Sequence, residues 1–219
     1  QLKTLVNYER EIKSRKRRIH DLEINLQNLS KTLSKLRRKI SNSLEKEIAQ
    51  ELSSLSMGDV EFKVDFKKSN DLTSEGIDKI EFLISTNPGE KLKPLSKIVS
   101  GGEMSRIMLG FKSILAEHDK IPTLIFDEID SGISGRTAQV VGEKIYKIAR
   151  HRQIISISHL PQITALADSH YVISKKLNKN NKIITIIEKL SDEERVNELA
   201  RLIGGVNVTD ITLNHAREM

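Results

Sequence analysis

One stretch of the chain carries more information about its architecture than any other: Lys97-Ile98-Val99-Ser100-Gly101-Gly102-Glu103-Met104-Ser105-Arg106. Ser100 and Glu103 have the S-x-x-E spacing of a capping box, in which each side chain bonds the backbone N–H of the other residue. A helix is therefore predicted to begin here. Its apolar positions follow at Ile107, Leu109, Phe111, Ile114 and Leu115.

Two glycines fall in the first turn of this predicted helix. Gly101 and Gly102 each reduce the stability of the helix by up to ~1 kcal/mol relative to alanine. Glycine is nevertheless favoured where another group must approach the backbone closely. A helix N-terminus with unpaired N–H groups and a hydroxyl beside it suits an anion such as phosphate. Taken alone, S-G-G-E fits a loop followed by a well-capped helix better than it fits a binding site.

Two short apolar runs downstream end in polar side chains. Pro122–Glu128 ends in the paired acids Asp127 and Glu128, and Gln153–His159 ends in a histidine. Both runs are typical of buried parallel strands. Because open α/β sheets bind ligands at the carboxyl ends of their strands, these termini and the glycine-capped helix are predicted to meet at one edge.

The order of these three elements resembles the ATP-binding-cassette (ABC) type of ATPase, with its family motif, its Walker B strand and its switch histidine. More closely, the chain is similar to bacterial DNA-repair members of this type that are related to the structural-maintenance-of-chromosomes (SMC) proteins. The resemblance covers about residues 80 to 205. It rests on V-S-G-G-E at 99–103, D-E-I-D-S-G-I-S-G-R at 127–136, S-H-L-P-Q-I-T-A-L-A-D at 158–168, N-P-G-E at 87–90 and residues 194–205.

The resemblance implies ATP hydrolysis with ATP and Mg²⁺ as cofactors. Asp127 suits the Mg²⁺ ligand, and Glu128 suits the base that polarises the attacking water. His159 would contact the γ-phosphate. The nucleotide-binding helix N-terminus would be Ser100, Gly101, Gly102 and Glu103. Each of these residues alone is more often structural than functional, and it is the ordered set that carries the prediction.

The motif G-x-x-x-x-G-K-[ST] is absent from the sequence. In the family, an amino-terminal lobe carries this P-loop and a carboxy-terminal lobe carries the motifs found here. The resemblance therefore implies three partners: the chain's own amino-terminal half, a second head in an ATP-dependent homodimer, and DNA. The loop that would communicate across the dimer contains Asp130, Ser131, Gly132 and Ser134. Ser134 stands where many ABC proteins have aspartate, which puts communication through that carboxylate in doubt.

Composition excludes several classes of protein. The 219 residues include no cysteine, so neither a disulfide framework nor a thiolate metal site can form. Since no apolar run approaches the ~20 residues of a membrane span and no signal peptide is recognisable at the start, we expect no membrane partner. The expected location is the cytoplasm, in association with the nucleoid.

A strict heptad pattern occupies the first part of the chain, and its apolar positions are Ile19, Leu22, Leu26, Leu29, Leu33, Leu36 and Ile40. It predicts a long coiled-coil helix. Residues 1–56 contain no proline, so one unbroken helix is expected. Such a stripe needs a partner helix, and no second heptad segment follows. The start at Gln1, in phase with the heptad, suggests a segment of a longer coiled coil.

The positive charge of the chain is concentrated in this segment. Residues 1 to 50 hold 13 Lys/Arg and 6 Asp/Glu, and the remaining residues hold 23 and 24. The densest cluster is Arg15, Lys16, Arg17 and Arg18. Contact with DNA phosphates and a solvated coiled-coil face explain it equally well.

Beyond Met57 the apolar period changes from helical to alternating, which predicts two strands over residues 60–66 and 80–84. Later elements are a helix over 135–150, a short helix over 161–167, strands over 169–174 and 183–187 joined by a turn at 178–181, and a helix that Ser191 and Glu194 cap.

The predicted fold class is α/β, as the carboxy-terminal lobe of an ABC/SMC-type ATPase head with a mostly parallel sheet, plus a long amino-terminal coiled-coil helix. The domains are a coiled-coil arm at 1–56, the lobe at 57–205 and a helical tail at 206–219.

Two functions of different classes remain open at this point. The first is a DNA-repair ATPase whose heads dimerise on nucleotide and whose arms organise DNA. The second is a structural SMC-like tether in which ATP only gates assembly. A transporter ATPase fits less well, since those proteins lack a long heptad arm at this position.

Overall fold

The computed structural model describes residues 2–115, 120–178, 181–205 and 207–219. The chain divides into two compact units: residues 1–49 with 60–97, and residues 50–59 with 98–219. The helices are α1 (Leu2–Ser54), α2 (Gly101–Ile114), α3 (Gly135–Ala149), α4 (Pro161–Thr164), α5 (Asp192–Gly204) and α6 (Asp210–Glu218). The strands are β1 (Glu61–Thr73), β2 (Gly76–Ser85), β3 (Lys93–Pro94), β4 (Thr123–Phe126), β5 (Gln153–Ser156), β6 (Tyr171–Leu177) and β7 (Ile183–Lys189).

The first unit consists of most of α1 with an antiparallel sheet in the order β1-β2-β3. Asp78 on β2 connects the sheet to the helix, since it accepts from Ser34 Oγ at 2.8 Å and lies 3.6 Å from the Arg37 guanidinium. The Arg38 guanidinium lies 4.5 Å from the centre of the Phe66 ring, a cation–π contact. These contacts fix the hairpin on the carboxy-terminal half of the arm.

The heptad positions of α1 are largely uncovered. The exposed fraction of their side chains ranges from 37% for Leu33 to 69% for Leu29. The pattern changes near the end of the helix, where Leu52 and the following Leu55 are fully buried in the second unit. A long helix with such a stripe is stabilised by packing against another helix, and no described element of this chain covers it.

The second unit is built around α2, α3 and the parallel pair β4–β5, in which Leu124 lies opposite Ile154. Its core contains Leu52, Leu55, Ile107, Leu109, Phe111, Leu124, Phe126, Ile129, Ala138 and Val141. Gly110 on α2 allows a close approach, because a Cβ atom there would lie 3.1 Å from Leu52 Cδ2. A smaller cluster of Leu199, Ala200 and Ala216 joins α5 to α6.

Sequence and structure agree closely on the position of most elements. The predicted helices at 135–150 and 161–167 are α3 and α4, and the Ser191 capping box on α5 is complete. The alternating segments form β1 and β2. The turn predicted at 178–181 includes Lys179 and Asn180, which lie outside the described residues.

Most of the described strand pairs are antiparallel, whereas the sequence predicted a mostly parallel sheet. Only β4 and β5 pair in parallel among the strands described, while β1-β2-β3 and β6–β7 are antiparallel. Short connections explain the hairpins, because antiparallel neighbours can be joined by a tight turn whereas parallel strands need a crossover.

The helical tail predicted at 206–219 contains α6, although residue 206 lies outside the described part of the chain. The three domain boundaries remain predictions. Across the described ranges, no helix is long and apolar enough to span a membrane.

Candidate functional site

The helix α2 begins where the sequence predicted. Ser100 is its N-cap, with an extended backbone, and the Ser100 hydroxyl accepts from the Glu103 N–H at 3.4 Å. This is one of the two reciprocal bonds of a capping box. The Glu103 carboxylate interacts electrostatically with the Arg106 guanidinium of the next turn. Ser100 and Gly101 are exposed, whereas Gly102 is buried and Glu103 is half-buried, so the start of the turn is the part that an anion could reach.

Both glycines of this turn lie against the loop that follows β4. A Cβ atom on Gly101 would lie 2.6 Å from Glu128 Oε2. On Gly102 it would lie 2.8 Å from Ser131 Cβ and 3.0 Å from the Glu128 carbonyl oxygen. Glycine is therefore needed at 102, where the backbone of the chain's own acidic loop comes close, whereas the neighbour of Gly101 is the end of a flexible side chain. The sequence alone could not distinguish this approach of the loop from the approach of a ligand.

The next turn of α2 holds the same loop by hydrogen bonds. Ser105 Oγ donates to the Asp127 carbonyl oxygen at 2.7 Å. The buried Arg106 guanidinium donates to the carbonyl oxygens of Ile129 at 3.3 Å and Ser131 at 2.6 Å. Burial lowers the pKa of Arg106, against the opposing effect of Glu103.

Neither Ser105 nor Arg106 was among the site residues that the sequence predicted. The available signal was a charged residue directly before Ile107, on the inward-facing side of an amphipathic helix. A buried arginine needs partners for its donors, and the loop carbonyls accept from its Nη1, whereas its buried Nε has no partner within the described residues.

The acidic loop has an unusual backbone at Glu128. Its φ of 54° lies in the left-handed region, which few non-glycine residues adopt and which costs of order 1–3 kcal/mol. The Ser131 N–H closes the turn by donating to the Glu128 carbonyl oxygen at 3.0 Å. Asp127 and Glu128 are both exposed, and Glu128 Oε2 faces the first turn of α2.

The histidine at the end of β5 joins the loop through Asp130. The Ile157 N–H continues the β4–β5 ladder to the Phe126 carbonyl oxygen at 2.9 Å. Beyond it, His159 Nδ1 lies 2.9 Å from Asp130 Oδ2. The Ser158 hydroxyl and the His159 N–H donate to the same oxygen at 2.7 and 2.8 Å.

The structure therefore brings three predicted groups together at the carboxyl edge of β4–β5. Glu128 contacts the α2 terminus directly, and His159 reaches the loop through Asp130. Of the predicted communication loop, Asp130 is buried, whereas Ser131, Gly132 and Ser134 are exposed. Ser134 is the N-cap of α3 and makes no side-chain capping bond.

Comparison with curated proteins gives strong sequence relatives. The chain is 40% identical over 223 residues to the DNA repair protein RecN of Halalkalibacterium halodurans, a match that covers all of this chain and 39% of that protein. It is 45% identical over 202 residues to the DNA repair protein RecN of Bacillus subtilis, covering 85% of this chain and 35% of that protein.

The chain belongs to the RecN family. It spans about two fifths of the length of the RecN proteins that it matches. Family membership confirms the predicted resemblance to a family of bacterial DNA-repair proteins. No family model matches the chain.

A solved structure supports the same fold. The crystal structure of the Smc head domain with a coiled coil and joint from Pyrococcus yayanosii superposes with a TM-score of 0.52 at 20% identity, covering 75% of this chain and 29% of that one. The predicted fold class, a lobe of an SMC-type head with a long helical arm, is thereby confirmed. This likeness concerns the fold alone.

The remaining predicted residues of the RecN-type chain lie on the arm. Arg15 is exposed and forms an ion pair with Glu11 one turn away, at 2.6 Å. Lys16, Arg17 and Arg18 are exposed as well. The pair with Glu11 is what a solvated face would show, and the exposure of all four cations is what a phosphate contact would need, so both interpretations of this cluster stand.

Proposed function

We propose that this chain is the carboxy-terminal lobe of a RecN-type ATPase head that acts in DNA double-strand break repair. The observation that carries the proposal is the convergence of the α2 N-terminus, Glu128 and His159 on one loop. Gly101 lies against the Glu128 carboxylate, and His159 is bonded to Asp130 two residues further on. A helix N-terminus and an acid are among the parts that phosphoryl transfer to water uses, and the imidazole adds a donor beside them.

The residues present fit a magnesium nucleotide better than a free metal ion. Within the described ranges no cluster of three or more acid, histidine or cysteine side chains could hold a metal. Mg²⁺ in ATPase sites is typically bound by one or two carboxylates with phosphate oxygens and waters. The exposed Asp127 would be the carboxylate ligand. When bound, Mg²⁺ neutralises charge that develops on the transferred phosphoryl group.

Each chain residue then has a separate task. Glu128 orients and polarises the attacking water, because its residue is exposed and the backbone on either side of it, at Asp127 and Ile129, is held by α2. Ser100 to Glu103 offer the helix N-terminus to the nucleotide of a second head. His159 presents its imidazole to the γ-phosphate.

The uncovered surfaces of the second unit support completion by an amino-terminal lobe. The parallel sheet has only two described strands, and Ile125, Ile155 and Ile157 remain exposed. Parallel sheets are normally covered on both faces. The hairpin β6–β7 likewise exposes an apolar ladder on one face, formed by Ile173, Leu177, Ile183 and Ile187.

Reassembly tests the proposal. This chain is co-expressed with the amino-terminal part of a RecN protein, and ATP turnover is measured with and without linear DNA. The reassembled protein should hydrolyse ATP, and the chain alone should not, because it contains no P-loop motif. Turnover by the chain alone, or none after reassembly, would contradict the proposal.

Two variants in the reassembled protein separate the roles of the acids. Asp127→Asn should weaken Mg²⁺-ATP binding as well as turnover, because a neutral amide is a poor Mg²⁺ ligand. Glu128→Gln should retain binding and slow hydrolysis by at least ~10²-fold, the range for loss of a general base. The opposite pattern in calorimetry and turnover would reverse the assignment.

A further inference from the structure

One buried carboxylate in the site is not used by the steps described above. The Asp130 side chain is 4% exposed, and its Oδ2 lies within hydrogen-bonding distance of three donors: Ser158 Oγ, the His159 N–H and His159 Nδ1. The His159 side chain, in contrast, is 74% exposed. An exposed imidazole is thus held at one edge by a buried anion.

The chemistry of this contact determines which nitrogen faces outward. A carboxylate only accepts hydrogen bonds, so a hydrogen bond across the 2.9 Å contact requires a hydrogen on Nδ1 in both the neutral and the charged imidazole. Nε2 is then the nitrogen left for a ligand. When the ring is charged, Nε2–H donates, and the Asp130 carboxylate compensates the positive charge. A carboxylate bonded to Nδ1–H is an established means of holding an imidazole in one tautomer and orientation.

The backbone that carries Asp130 is itself fixed. Ile129 is fully buried, and its carbonyl oxygen accepts from Arg106. The preceding Glu128 adopts the left-handed conformation described above. One short segment therefore sets the position of the acid and, through Asp130, that of the imidazole.

We propose that Asp130 is a positioning residue for His159, which fixes the Nδ1–H tautomer and directs Nε2 toward the ligand side of the loop. Its consequence for hydrolysis rests on the function proposed above, whereas the tautomer itself does not.

The tautomer can be measured on this chain without nucleotide. A two-bond ¹H–¹⁵N correlation spectrum of the ¹⁵N-labelled protein at alkaline pH distinguishes the protonated ring nitrogen from the unprotonated one. The His159 signals are identified by their loss in His159→Gln. We expect Nδ1 to be protonated and Nε2 to be free. An Nε2–H tautomer, or rapid exchange between the two, would overturn the proposal before any other variant is made.

Two further variants separate positioning from general support of the loop. Asp130→Ala removes the acceptor and should abolish the preference for Nδ1–H, whereas an asparagine oxygen could still accept that hydrogen. Ser158→Ala is the matched control, since it removes one bond to the same oxygen but leaves the contact with the ring, and it should keep the wild-type tautomer. An unchanged tautomer in Asp130→Ala, or its loss in both variants, would show that Asp130 does not position the ring.

Turnover of the reassembled protein supplies the kinetic consequence. Asp130→Ala should lower kcat by about 10- to 100-fold, the usual range for loss of a group that orients a functional histidine, with little change in KM for ATP. Wild-type kcat in this variant would overturn the proposed role in hydrolysis. If the reassembled wild-type protein shows no turnover but the tautomer is as expected, the proposed function fails and the positioning role stands.

Discussion

Gly101 and Gly102 occupy neighbouring positions in one helical turn but face different neighbours. The Cβ of alanine at 101 would meet the end of the flexible Glu128 side chain, whereas at 102 it would meet Ser131 Cβ and two carbonyl oxygens. Both changes gain the same helix propensity, about 1 kcal/mol. They should therefore differ only in the contact that they create.

We expect Gly102→Ala to destabilise the chain by roughly 1–3 kcal/mol, the range for overpacking, and Gly101→Ala to be neutral or stabilising. Chemical denaturation of the two variants and the wild-type chain measures this difference. Equal effects of the two substitutions would contradict the close approach of the loop to Gly102.

His170 provides a second prediction at the scale of the residue. It is a buried side chain whose Nδ1 has no hydrogen-bond partner within the described residues. Burial lowers its pKa below the usual 6.5, with Glu198 opposing the shift and Arg195 adding to it. The unfolded chain consequently takes up a proton at higher pH than the folded chain does.

The free energy of unfolding should therefore fall as the pH decreases below about 6.5. The decrease should level off once the pH is below the pKa of His170 in the folded chain. His170→Gln, which cannot titrate, should lose less stability than the wild-type chain over the same range. Denaturation curves at a series of pH values test this. Parallel pH profiles for the two proteins would show that His170 does not contribute.

The sequence of the arm α1 predicts some of its properties but not its partner or the role of its charges. Its heptad stripe predicts a helix and a partner helix, and the structure leaves that stripe exposed. The cluster Arg15 to Arg18 lies mostly outside the stripe, except for Arg15, which is seven residues before Leu22. Arg15 forms an ion pair with Glu11. Exposed ion pairs of this kind contribute little to stability. Reversing the charges of the cluster should therefore test its contact with DNA without a large loss of stability.

Reversing Arg15, Lys16, Arg17 and Arg18 to glutamate should weaken DNA binding for all sequences alike. If all four contact phosphates, the slope of log affinity against log salt should fall by roughly three to four. The matched control reverses Lys175, Lys176, Lys182 and Lys189 on the β6–β7 hairpin, an equal change in net charge. Mobility-shift titrations that do not distinguish the two variants would favour a solvated face for the arm.

At the scale of the whole molecule, the proposed function requires more than one chain. The α2 terminus and the Glu128 loop lie together in one lobe, but in the proposed mechanism the turn serves the nucleotide of a second head. Hydrolysis should then control how long two heads remain associated.

In the reassembled protein with ATP, Glu128→Gln should accumulate a head dimer, because binding persists while hydrolysis is slow. Ser100→Arg should bind ATP but remain monomeric, because a bulky side chain at the helix N-terminus would block the second head. Light scattering measures the mass of each variant. A monomeric Glu128→Gln together with a dimeric Ser100→Arg would exclude the two-head arrangement.

Local pattern alone determined much of this protein. The heptad of α1, the alternation of β1 and β2 and the capping signals of α2 and α5 depend on residues a few positions apart, so each could be recognised in the sequence. The order of Ser100–Glu103, Asp127–Glu128 and His159 was sufficient to predict the family. These features are local because helix and strand periods are properties of the backbone itself.

Tertiary structure alone decided how the parts of the site are held. Arg106 and Ile129 are 23 positions apart, and Asp130 and His159 are 29 apart, so no sequence spacing connects them. The need for glycine at 102 follows from the packing of α2 against the loop, and the contact of His159 with Asp130 follows from the position of that loop beside β5. Sequence indicates which side chains are available, but only the folded chain determines which buried donors and acceptors must satisfy one another.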